Sequence, residues 1–352
     1  MITDIRLQQF RSYQDASFEC SPSVNIIVGP NASGKTNLLE AILVVARGSS
    51  YRVRDQDLIM FGQPWARLDA HTVSGQRTIK LLGEPQPGKS YEIDSKPYKR
   101  LTLQHTLPVV LFEPNDLQLL HGSPEGRRTY LDTLLEQTLP HYATYLRNYR
   151  RVLAQRNALL KRSKKPGSNE LFPWNLRLSE LGAAIARSRA ELAEQIGMRI
   201  EETYRSLSQA KTQVALVYNP KFTLESYESK MLQKLESDLP LDQLRGFTSA
   251  GPHREDFVVR FDDHLADETA SRGEVRTLVL SLKIIELELL AKARELQPIL
   301  LLDDVFSELD GSRRHALTDH LKDYQTFITT TDADIVLKNF AQKAQIIPTT
   351  SR

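Results

Sequence analysis

The most informative segment of the sequence is Gly29-Pro30-Asn31-Ala32-Ser33-Gly34-Lys35-Thr36. It fits the pattern G-x-x-x-x-G-K followed by Ser or Thr, which is typical of a phosphate-binding loop. The two glycines let the backbone curl so that successive N–H groups point at phosphate oxygens. Lys35 brings a positive charge to the β- and γ-phosphates, and the Thr36 hydroxyl is a ligand for Mg²⁺. These residues predict a nucleotide site.

The sequence on both sides of this loop supports the prediction. Residues 24–28 are rich in β-branched side chains and are expected to enter the loop as a strand. Residues 37–46 are expected to form a helix whose N-terminal dipole faces the anion, so Asn37 is a further candidate contact. Arg11, which precedes the loop, is either a surface charge or a phosphate ligand. Its position alone favours the surface.

The composition is that of a soluble globular protein, with 40% hydrophobic and 26% charged residues. The formal net charge is only +2, so any attraction to nucleic acid must come from local clustering. Cys20 is the only cysteine, which excludes a disulfide framework within the chain and is typical of a small buried residue. The N-terminus lacks a signal-peptide pattern, and the apolar runs are too short to span a membrane. We therefore expect a cytoplasmic protein.

The first third of the chain predicts β-structure around the loop. Residues 2–10 alternate apolar and polar side chains, and residues 18–20 are a candidate partner for that strand. Residues 109–112 are typical of a buried strand that ends at the polar stretch beginning with Glu113. Further segments separated by turn residues predict an antiparallel patch beside the site, namely 67–73, 78–82 and 91–93.

The middle of the chain predicts a helical arm. Helix-forming residues with apolar side chains at helical spacing run from 124 to 208, interrupted by a polar turn at 163–169. Two helical stretches around one turn indicate an antiparallel arrangement. We assign residues 119–211 to a helical arm lobe and residues 1–118 with 212–352 to an α/β lobe.

The first half of this arm is basic. Between positions 121 and 165 the sequence has ten Lys or Arg against three acids. Two interpretations stay open, a solvated helix face or a surface that follows nucleic-acid phosphates. The candidate phosphate contacts on this surface are Arg147, Arg150, Arg151 and Arg156.

A second motif lies near the end of the chain. Residues 299–302 form an apolar run that leads into Asp303 and Asp304, as expected of the strand that complements a phosphate loop. The first carboxylate would hold the Mg²⁺ shell, and the second would orient or deprotonate the attacking water. Residues 326–332 predict another strand that ends at the same edge.

The order of these parts resembles the ABC-type ATPases of the SMC branch. A phosphate loop comes first, then a helical insertion, then Ser-x-Gly-Glu about thirty residues before hydrophobic-Asp-Asp, with Ser-Glu-Leu-Asp just after it. The resemblance covers essentially the whole chain, with a short arm in place of a long coiled coil. Shorter matching patterns are Phe10-Arg11-Ser12-Tyr13, Ser50-Tyr51-Arg52, residues 112–117, 122–128 and 155–161, Gly251-Pro252-His253-Arg254, and residues 301–310.

The resemblance assigns roles that the residues alone do not. Ser271, Gly273 and Glu274, which by themselves predict only a helix N-cap, become the ABC signature. Asp303 becomes the Walker B acid, and Asp304 stands in the usual position of the catalytic glutamate. The resemblance also places Asp310 in the D-loop and Thr331 at the position of the switch histidine of transporter ATPases.

Four positions depart from the family pattern. Arg272 and Val275 replace the glutamines expected around the signature, which puts the strength of the ATP-bound dimer in doubt. Glu255 replaces the Asp expected after His-Arg. Asp304 is one methylene shorter than Glu, which implies slow hydrolysis suited to a timer, and the resemblance implies that DNA stimulates it.

The resemblance also implies a function. The α/β fold would be an ABC-type P-loop ATPase lobe, with a mixed sheet, an antiparallel β patch and an inserted helical arm lobe. Members of this kind use ATP and Mg²⁺, form homodimers on ATP and bind DNA at gaps or single-strand/double-strand junctions. Their direct partner is RecR, and RecO and RecA act indirectly, so that RecA is loaded during recombinational repair, replication restart and the SOS response.

Other classes fit less well. A transporter ATPase subunit would need a full signature, a switch histidine and a short helical domain, and both Thr331 and the long arm argue against it. An OLD-type nuclease would append an acidic nuclease domain, but only a short stretch follows Thr331. The arm is too short for a purely structural SMC-like tether.

Overall fold

The computed structural model describes residues 1–162, 167–208, 211–306, 309–332, 336 and 344–349. The chain forms two compact units. The sheet unit comprises Met1–Leu117, Ser206–Ser208 and Val279–Arg352, and the helical unit comprises Gln118–Arg205 and Gln209–Leu278. None of the helices in the described ranges is long and apolar enough to cross a membrane.

The strands are β1 (Ile2–Phe10), β2 (Tyr13–Glu19), β3 (Val24–Val28), β4 (Trp65–Thr72), β5 (Gly75–Leu82), β6 (Gly88–Ile93), β7 (Lys96–Tyr98), β8 (Val109–Phe112), β9 (Val214–Asn219), β10 (Asp256–Phe261), β11 (His264–Leu265), β12 (Ile299–Asp303), β13 (Thr326–Thr330) and β14 (Ala344–Pro348). The helices are α1 (Lys35–Arg47), α2 (Pro124–Thr138), α3 (Tyr142–Leu160), α4 (Ser168–Ser208), α5 (Tyr227–Ser237), α6 (Leu239–Arg245), α7 (Ala266–Thr269), α8 (Arg272–Arg294) and α9 (Gly311–Leu321).

Helix α1 is the centre of the sheet unit. Every residue from 38 to 46 is buried, and the helix contacts strands of both large sheets. One sheet is parallel, in the order β14-β3-β13-β12-β8, and the other is antiparallel, in the order β2-β1-β4-β5-β6-β7. Apart from Glu40, residues 38–46 of α1 are apolar, and a helix with apolar side chains on every face is stable only when it is covered on all sides. The predicted α/β class and the antiparallel patch are confirmed.

The parallel sheet brings distant parts of the sequence to one edge. Strand β13 pairs with β3 on one side and β12 on the other, with Thr329 opposite both Ile27 and Asp303. In a parallel sheet the carboxyl ends of neighbouring strands meet at the same edge. The loop after β3 and the acidic pair at the end of β12 are therefore neighbours.

The helical unit contains three long helices where two were predicted. Helices α2 and α3 are separated at residues 139–141, where Pro140 lacks the N–H that a continuous helix needs and restricts Leu139 before it. The polar turn at 163–169 lies partly outside the described residues. The turn residues Asp262-Asp263 predict a hairpin. It is present between β10 and β11, and both residues have positive φ, as a tight hairpin turn requires.

The predicted domain boundary at 211 differs from the observed one. Residues 209–278 belong to the helical unit, because β9 pairs with β10 and β10 packs against α2. The partner strands of this three-stranded sheet are all within that unit, in the order β11-β10-β9. A boundary drawn at the end of the helical pattern could not show this packing.

Glu255 stabilises the loop before β10. Its buried carboxylate accepts hydrogen bonds from the hydroxyls of Tyr218 and Tyr227 and from the backbone N–H of Lys221. A buried carboxylate is stable only when such donors satisfy its oxygens. Glu255, in place of the expected Asp, therefore brings its carboxylate within reach of three hydrogen-bond donors.

His253 is held as a neutral side chain in the same loop. Burial lowers its pKa to about 4, and the nearby Arg254, Arg128 and Arg189 add to the effect. Its Nδ1 lies 2.7 Å from the Tyr149 hydroxyl and its Nε2 lies 3.1 Å from the Thr248 carbonyl oxygen. Because a carbonyl oxygen can only accept, Nε2 carries the proton and Nδ1 accepts from the tyrosine.

We predict that His253 makes the helical unit acid-sensitive. The folded-state pKa of about 4 lies below the usual 6.5, so the stabilisation is complete above about pH 6.5 and is lost as pH falls towards 4. The loss in the free energy of unfolding is on the order of 3 kcal/mol. His253→Gln should flatten this dependence. Trp174 fluorescence during urea unfolding, in a Trp65→Phe background, reports on the helical unit.

The matched control is His264→Gln, because His264 is exposed in the same unit and has an ordinary hydrogen bond to the Asp262 carbonyl. Equal pH dependence for the two variants between pH 7 and pH 4 would contradict the assignment of a buried neutral His253.

Candidate functional site

The loop at 29–36 joins β3 to α1, and its geometry requires both glycines. Gly34 has φ 98°, and a Cβ there would lie 2.9 Å from the hydroxyls of Ser12 and Tyr13. A Cβ on Gly29 would lie 2.4 Å from the carbonyl oxygen of Thr349. The Tyr13 hydroxyl donates to the Gly34 carbonyl at 3.0 Å. The loop is therefore packed closely on both sides.

Lys35 lies against this loop. Its ammonium donates to the carbonyl oxygens of Gly29 at 2.8 Å and Pro30 at 2.9 Å. An ammonium has three N–H donors. Among the described residues, two of them are used by these carbonyls, so the third can donate to an oxygen of a bound ligand. The charge is thus held at the loop by the backbone itself.

The acidic pair meets the loop through hydrogen bonds. The Thr36 hydroxyl donates to Asp303 Oδ1 at 3.0 Å, and the Thr329 hydroxyl donates to the same oxygen at 2.8 Å. The backbone N–H of Asp304 donates to the Thr329 hydroxyl at 2.8 Å. Asp303 is buried, whereas Asp304 is exposed and has φ 55°. A left-handed backbone at a non-glycine residue turns the second carboxylate away from the strand direction.

These oxygens are suitable ligands for Mg²⁺. The ion prefers hard oxygen donors in octahedral geometry at about 2.0–2.1 Å, which separates neighbouring ligands by about 2.9 Å. The Thr36 and Asp303 oxygens are 3.0 Å apart. The donor set therefore fits the metal, with the remaining positions left to water and phosphate.

Arg11 has a structural partner. Its Nε donates to the buried Glu40 carboxylate of α1 at 2.9 Å, and its Nη1 donates to the Asp57 carbonyl at 2.9 Å. The Arg11 side chain is 22% exposed, so it is not the simple surface charge that its position favoured. It neutralises a carboxylate that would otherwise be costly to bury.

A cavity of about 710 Å³ lies beside the start of α1. Its lining includes Arg11, Ser12, Asn37, Asp57 and the fully exposed Phe61. This volume is in the range of sites that hold small ligands. Residues 56–63 were not identified as part of a site from the sequence. The signal that could have indicated them is Phe61, a large apolar side chain within a turn.

Thr349 is a second residue that sequence reasoning missed. It follows β14, its backbone N–H donates to the Val28 carbonyl at 2.8 Å, and its Oγ1 lies 2.7 Å from the buried Ser33 Oγ. The contact joins positions 316 residues apart in sequence. Thr349 therefore supports the inside of the loop from the neighbouring strand.

The remaining candidates lie in several places. Ser271 and Glu274 form a capping box at the start of α8, with Ser271 N to Glu274 Oε2 at 2.8 Å and Glu274 N to Ser271 Oγ at 3.3 Å. Asp310 caps α9 by accepting from the Arg313 N–H at 2.9 Å. Thr331 is exposed after β13. Ser307 and Glu308 lie outside the described residues.

The basic candidates on α3 divide into two groups. Arg147, Arg150 and Arg151 are exposed. Arg156 is fully buried, and its guanidinium donates to Asn175, to the Asp242 carboxylate at 2.7 Å and to Thr248. The prediction that Arg156 contacts DNA phosphates is therefore wrong, because its charge is already neutralised inside the helical unit.

A phosphate loop beside a central helix, an acidic strand end next to it and an inserted helical unit define an ABC-type ATPase of the SMC class. The family model described as RecF/RecN/SMC N terminal domain matches residues 1–350. The DNA replication and repair protein RecF of Moorella thermoacetica is 35% identical over 350 residues, covering 98% of this chain and 94% of that protein. The chain belongs to the RecF family.

Further comparisons agree. RecF of Halalkalibacterium halodurans is 34% identical over 358 residues, covering 98% of this chain and 96% of that protein. The solved structure of the recombination mediator protein RecF-ATPrS in the RecFOR pathway has a TM-score of 0.86 and 29% identity, covering 94% of this chain and 92% of that one. An SMC head bound to the C-winged helix domain of ScpA has a TM-score of 0.54 at 17% identity, over 96% and 92% of the two chains, and shows the fold alone. The predicted family is confirmed, and the comparisons do not favour a transporter subunit or an OLD-type nuclease.

We predict that Thr349 positions the loop through its hydroxyl. Thr349→Val removes the contact with Ser33 while keeping the side-chain volume, so ATP affinity should fall about tenfold, the value of a buried hydrogen-bonding group left unpaired. Thr349→Ser should restore most of it. Isothermal titration calorimetry with ATP would measure this. Equal affinity in Thr349→Val and the parent protein would contradict the role.

Proposed function

We propose that this protein is an ATP-dependent DNA-binding switch of recombinational DNA repair that acts in the cytoplasm. The observation that carries the proposal is the hydrogen bond between Thr36 and Asp303, which joins the phosphate loop to the acidic strand end. Relatives that span nearly the whole chain bear the name DNA replication and repair protein RecF. A solved structure with 29% identity is described as RecF with ATP in the RecFOR pathway.

In this proposal the nucleotide occupies the sheet unit. The loop N–H groups and Lys35 would hold the phosphates, and the 710 Å³ cavity lined by Arg11, Asn37 and Phe61 would take the nucleoside. Thr36 and Asp303 would hold Mg²⁺, which neutralises developing phosphate charge when it is bound. The chain itself would supply the residues that surround the phosphates and hold them in position.

Asp304 is the proposed water-orienting residue. It follows the buried Asp303 directly, is exposed and is held by the backbone bond to Thr329. Glu113, which lies near Asp303, has a pKa raised above its usual value, mainly by burial and then by Asp116. The shorter side chain of Asp304 supports slow hydrolysis, since a carboxylate must reach the water that it orients.

The proposed active form is a homodimer. One chain has one loop and one signature, so two copies would form two composite sites in which each signature faces the nucleotide of the other subunit. The capping box of Ser271 and Glu274 fixes the start of α8. The N-terminus of a helix favours an anion such as the γ-phosphate.

The proposed DNA surface includes the exposed arginines 147, 150 and 151 of α3. We propose that the dimer binds gapped or junction DNA, with RecR as its direct partner and RecO and RecA acting after it. A gel shift with gapped and blunt duplexes, with and without ATP, tests this. ATP-independent binding, or equal binding to both substrates, would contradict it.

We predict different effects for the loop and the acid. Lys35→Ala should weaken ATP binding by about 10- to 100-fold, because charge-assisted hydrogen bonds are lost. Asp304→Asn should keep ATP affinity and reduce turnover by roughly 100-fold or more. Fluorescent-ATP titration and phosphate release measure the two effects. Lys80→Ala is the control, because Lys80 is exposed on β5. Wild-type turnover in Asp304→Asn would exclude its role.

We also predict that the site is shared between two chains. Lys35→Ala and Ser271→Arg should each be inactive, but an equal mixture should recover roughly a quarter of wild-type hydrolysis. Half of the dimers would be mixed, and each of these would have one intact site. Strict coupling between sites would reduce the recovery, so Ser271→Arg alone is decisive.

The control for the helix cap is Ser271→Thr, which keeps the capping hydroxyl and should retain most activity. If Ser271→Arg hydrolyses ATP at the wild-type rate, and the rate per chain does not rise with protein concentration, Ser271 faces no nucleotide and the dimer mechanism is wrong.

A further inference from the structure

A cavity of about 330 Å³ in the helical unit is surrounded by arginines. We call it the arginine cavity. It lies among α2, α3, α4 and the loop before β10. Its charged lining consists of the four arginines 128, 150, 189 and 254 and the two acids Glu125 and Asp132, and His253 lies among them.

One of the four arginines is already neutralised. Arg189 binds Asp132 in bidentate fashion at 2.9 and 3.0 Å, and its Nη1 donates to the Pro252 carbonyl at 2.7 Å. Both side chains are almost fully buried. Asp132 also accepts from the Tyr142 hydroxyl. This carboxylate is therefore largely used, and it contributes little to the charge of the other arginines.

Arg128 is a partly buried cation without an acidic partner. In the ranges that the structure describes, its hydrogen bond is from Nη1 to the Glu255 carbonyl at 2.9 Å, and no carboxylate lies within ion-pair distance. Burial lowers the pKa of Arg128 and the neighbouring Arg189 lowers it further, and the more distant acids Asp256, Glu125 and Asp132 offset this only in part. A buried charge is costly unless an opposite charge compensates it. The environment of Arg128 thus favours binding of an anion.

Two more guanidiniums with unused donors face the same cavity. Arg254 lies 4.9 Å over the ring of Phe247, an arrangement that leaves the N–H groups at the edge of its plane free. Arg150 is 64% exposed and lies 3.8 Å from Asp132, too far for a hydrogen bond. His253 adds no charge, because its buried ring is neutral at pH 7. The cavity therefore has three cationic forks and two carboxylates, of which Asp132 is already used and Glu125 is exposed at the first turn of α2.

We propose that the arginine cavity is a phosphate site in which Arg128 and Arg254 bind one backbone phosphate of DNA together. This inference rests on the proposed DNA-binding function and adds two residues to it. Guanidinium forks match phosphate oxygens, and Arg147 lies one helical turn from Arg150, where the next part of a strand would pass. Exposed cations that continue along α3 favour a polyanion with evenly spaced charges over a single acidic side chain.

The test is a double-mutant cycle on DNA binding. Arg128→Gln, Arg254→Gln and the double variant are compared with the parent by fluorescence anisotropy on a gapped duplex, with ATP, over a series of NaCl concentrations. Each single variant should bind about tenfold more weakly. Because both arginines share one phosphate, the double variant should lose less than the sum. Its log–log salt slope should fall in magnitude by about one rather than two.

The matched control is Arg177→Gln, since Arg177 is exposed on α4 of the same unit and is paired with Glu180. It should bind as the parent does. Trp174 fluorescence during urea unfolding checks the fold of each variant. The Arg254→Gln variant is informative by itself. Within the described part of the chain, the Arg254 side chain makes no hydrogen bond that the substitution would break.

Three outcomes would overturn the proposal. If the parent protein binds no DNA, the proposed function and this inference both fail. If the parent binds DNA and the three variants have its affinity and salt slope, only the inference fails. If the variants bind DNA normally but no longer bind purified RecR, the arginine cavity is a site for an acidic protein segment instead.

Discussion

The hydrogen bond from Thr36 to Asp303 is the contact on which the sheet unit depends for its chemistry. It joins residues 267 positions apart, and it exists because β13 pairs with β3 and β12 at once. Thr329 of β13 donates to the same carboxylate, so the central strand both spaces the two motifs and supports one of them. A register shift of one residue would move Asp303 to the other face of the sheet. The pairing of these strands therefore sets the geometry of the site.

The loop is supported from several directions. Lys35 is held by loop carbonyls, Gly34 by the Tyr13 hydroxyl and Ser33 by Thr349 of the strand end. Each support is a short polar contact in a region with little free space, as the close approaches at Gly29 and Gly34 show. A loop built in this way needs little rearrangement to accept phosphate, which lowers the cost of binding. The C-terminal strand thus belongs to the nucleotide cradle.

The helical unit is organised by buried charges. Arg156 with Asp242 and Arg189 with Asp132 are complete pairs, and Glu255 is satisfied by hydroxyl and backbone donors. Removal of one partner from such a pair is far more costly than its formation is favourable. Against this background Arg128 is unusual, because among the described residues its partly buried guanidinium has only a backbone carbonyl as acceptor. An arginine paired with a buried carboxylate stabilises the fold, whereas an arginine without such a partner is a candidate for binding an anion.

The loop, the acidic strand end, the antiparallel strands and the hairpin at Asp262-Asp263 could all be predicted from the sequence, because each depends on residue types and spacings within a short window. Features that depend on distant neighbours could be seen only in the folded chain. Folding buried Arg156 beside Asp242, which no pattern within α3 could show, and it placed residues 209–278 with the helical unit through pairing of β9 and β10. It also brought Thr349 to Ser33. Burial and long-range pairing set the role of a charge or hydroxyl, and local sequence records only that the group is present.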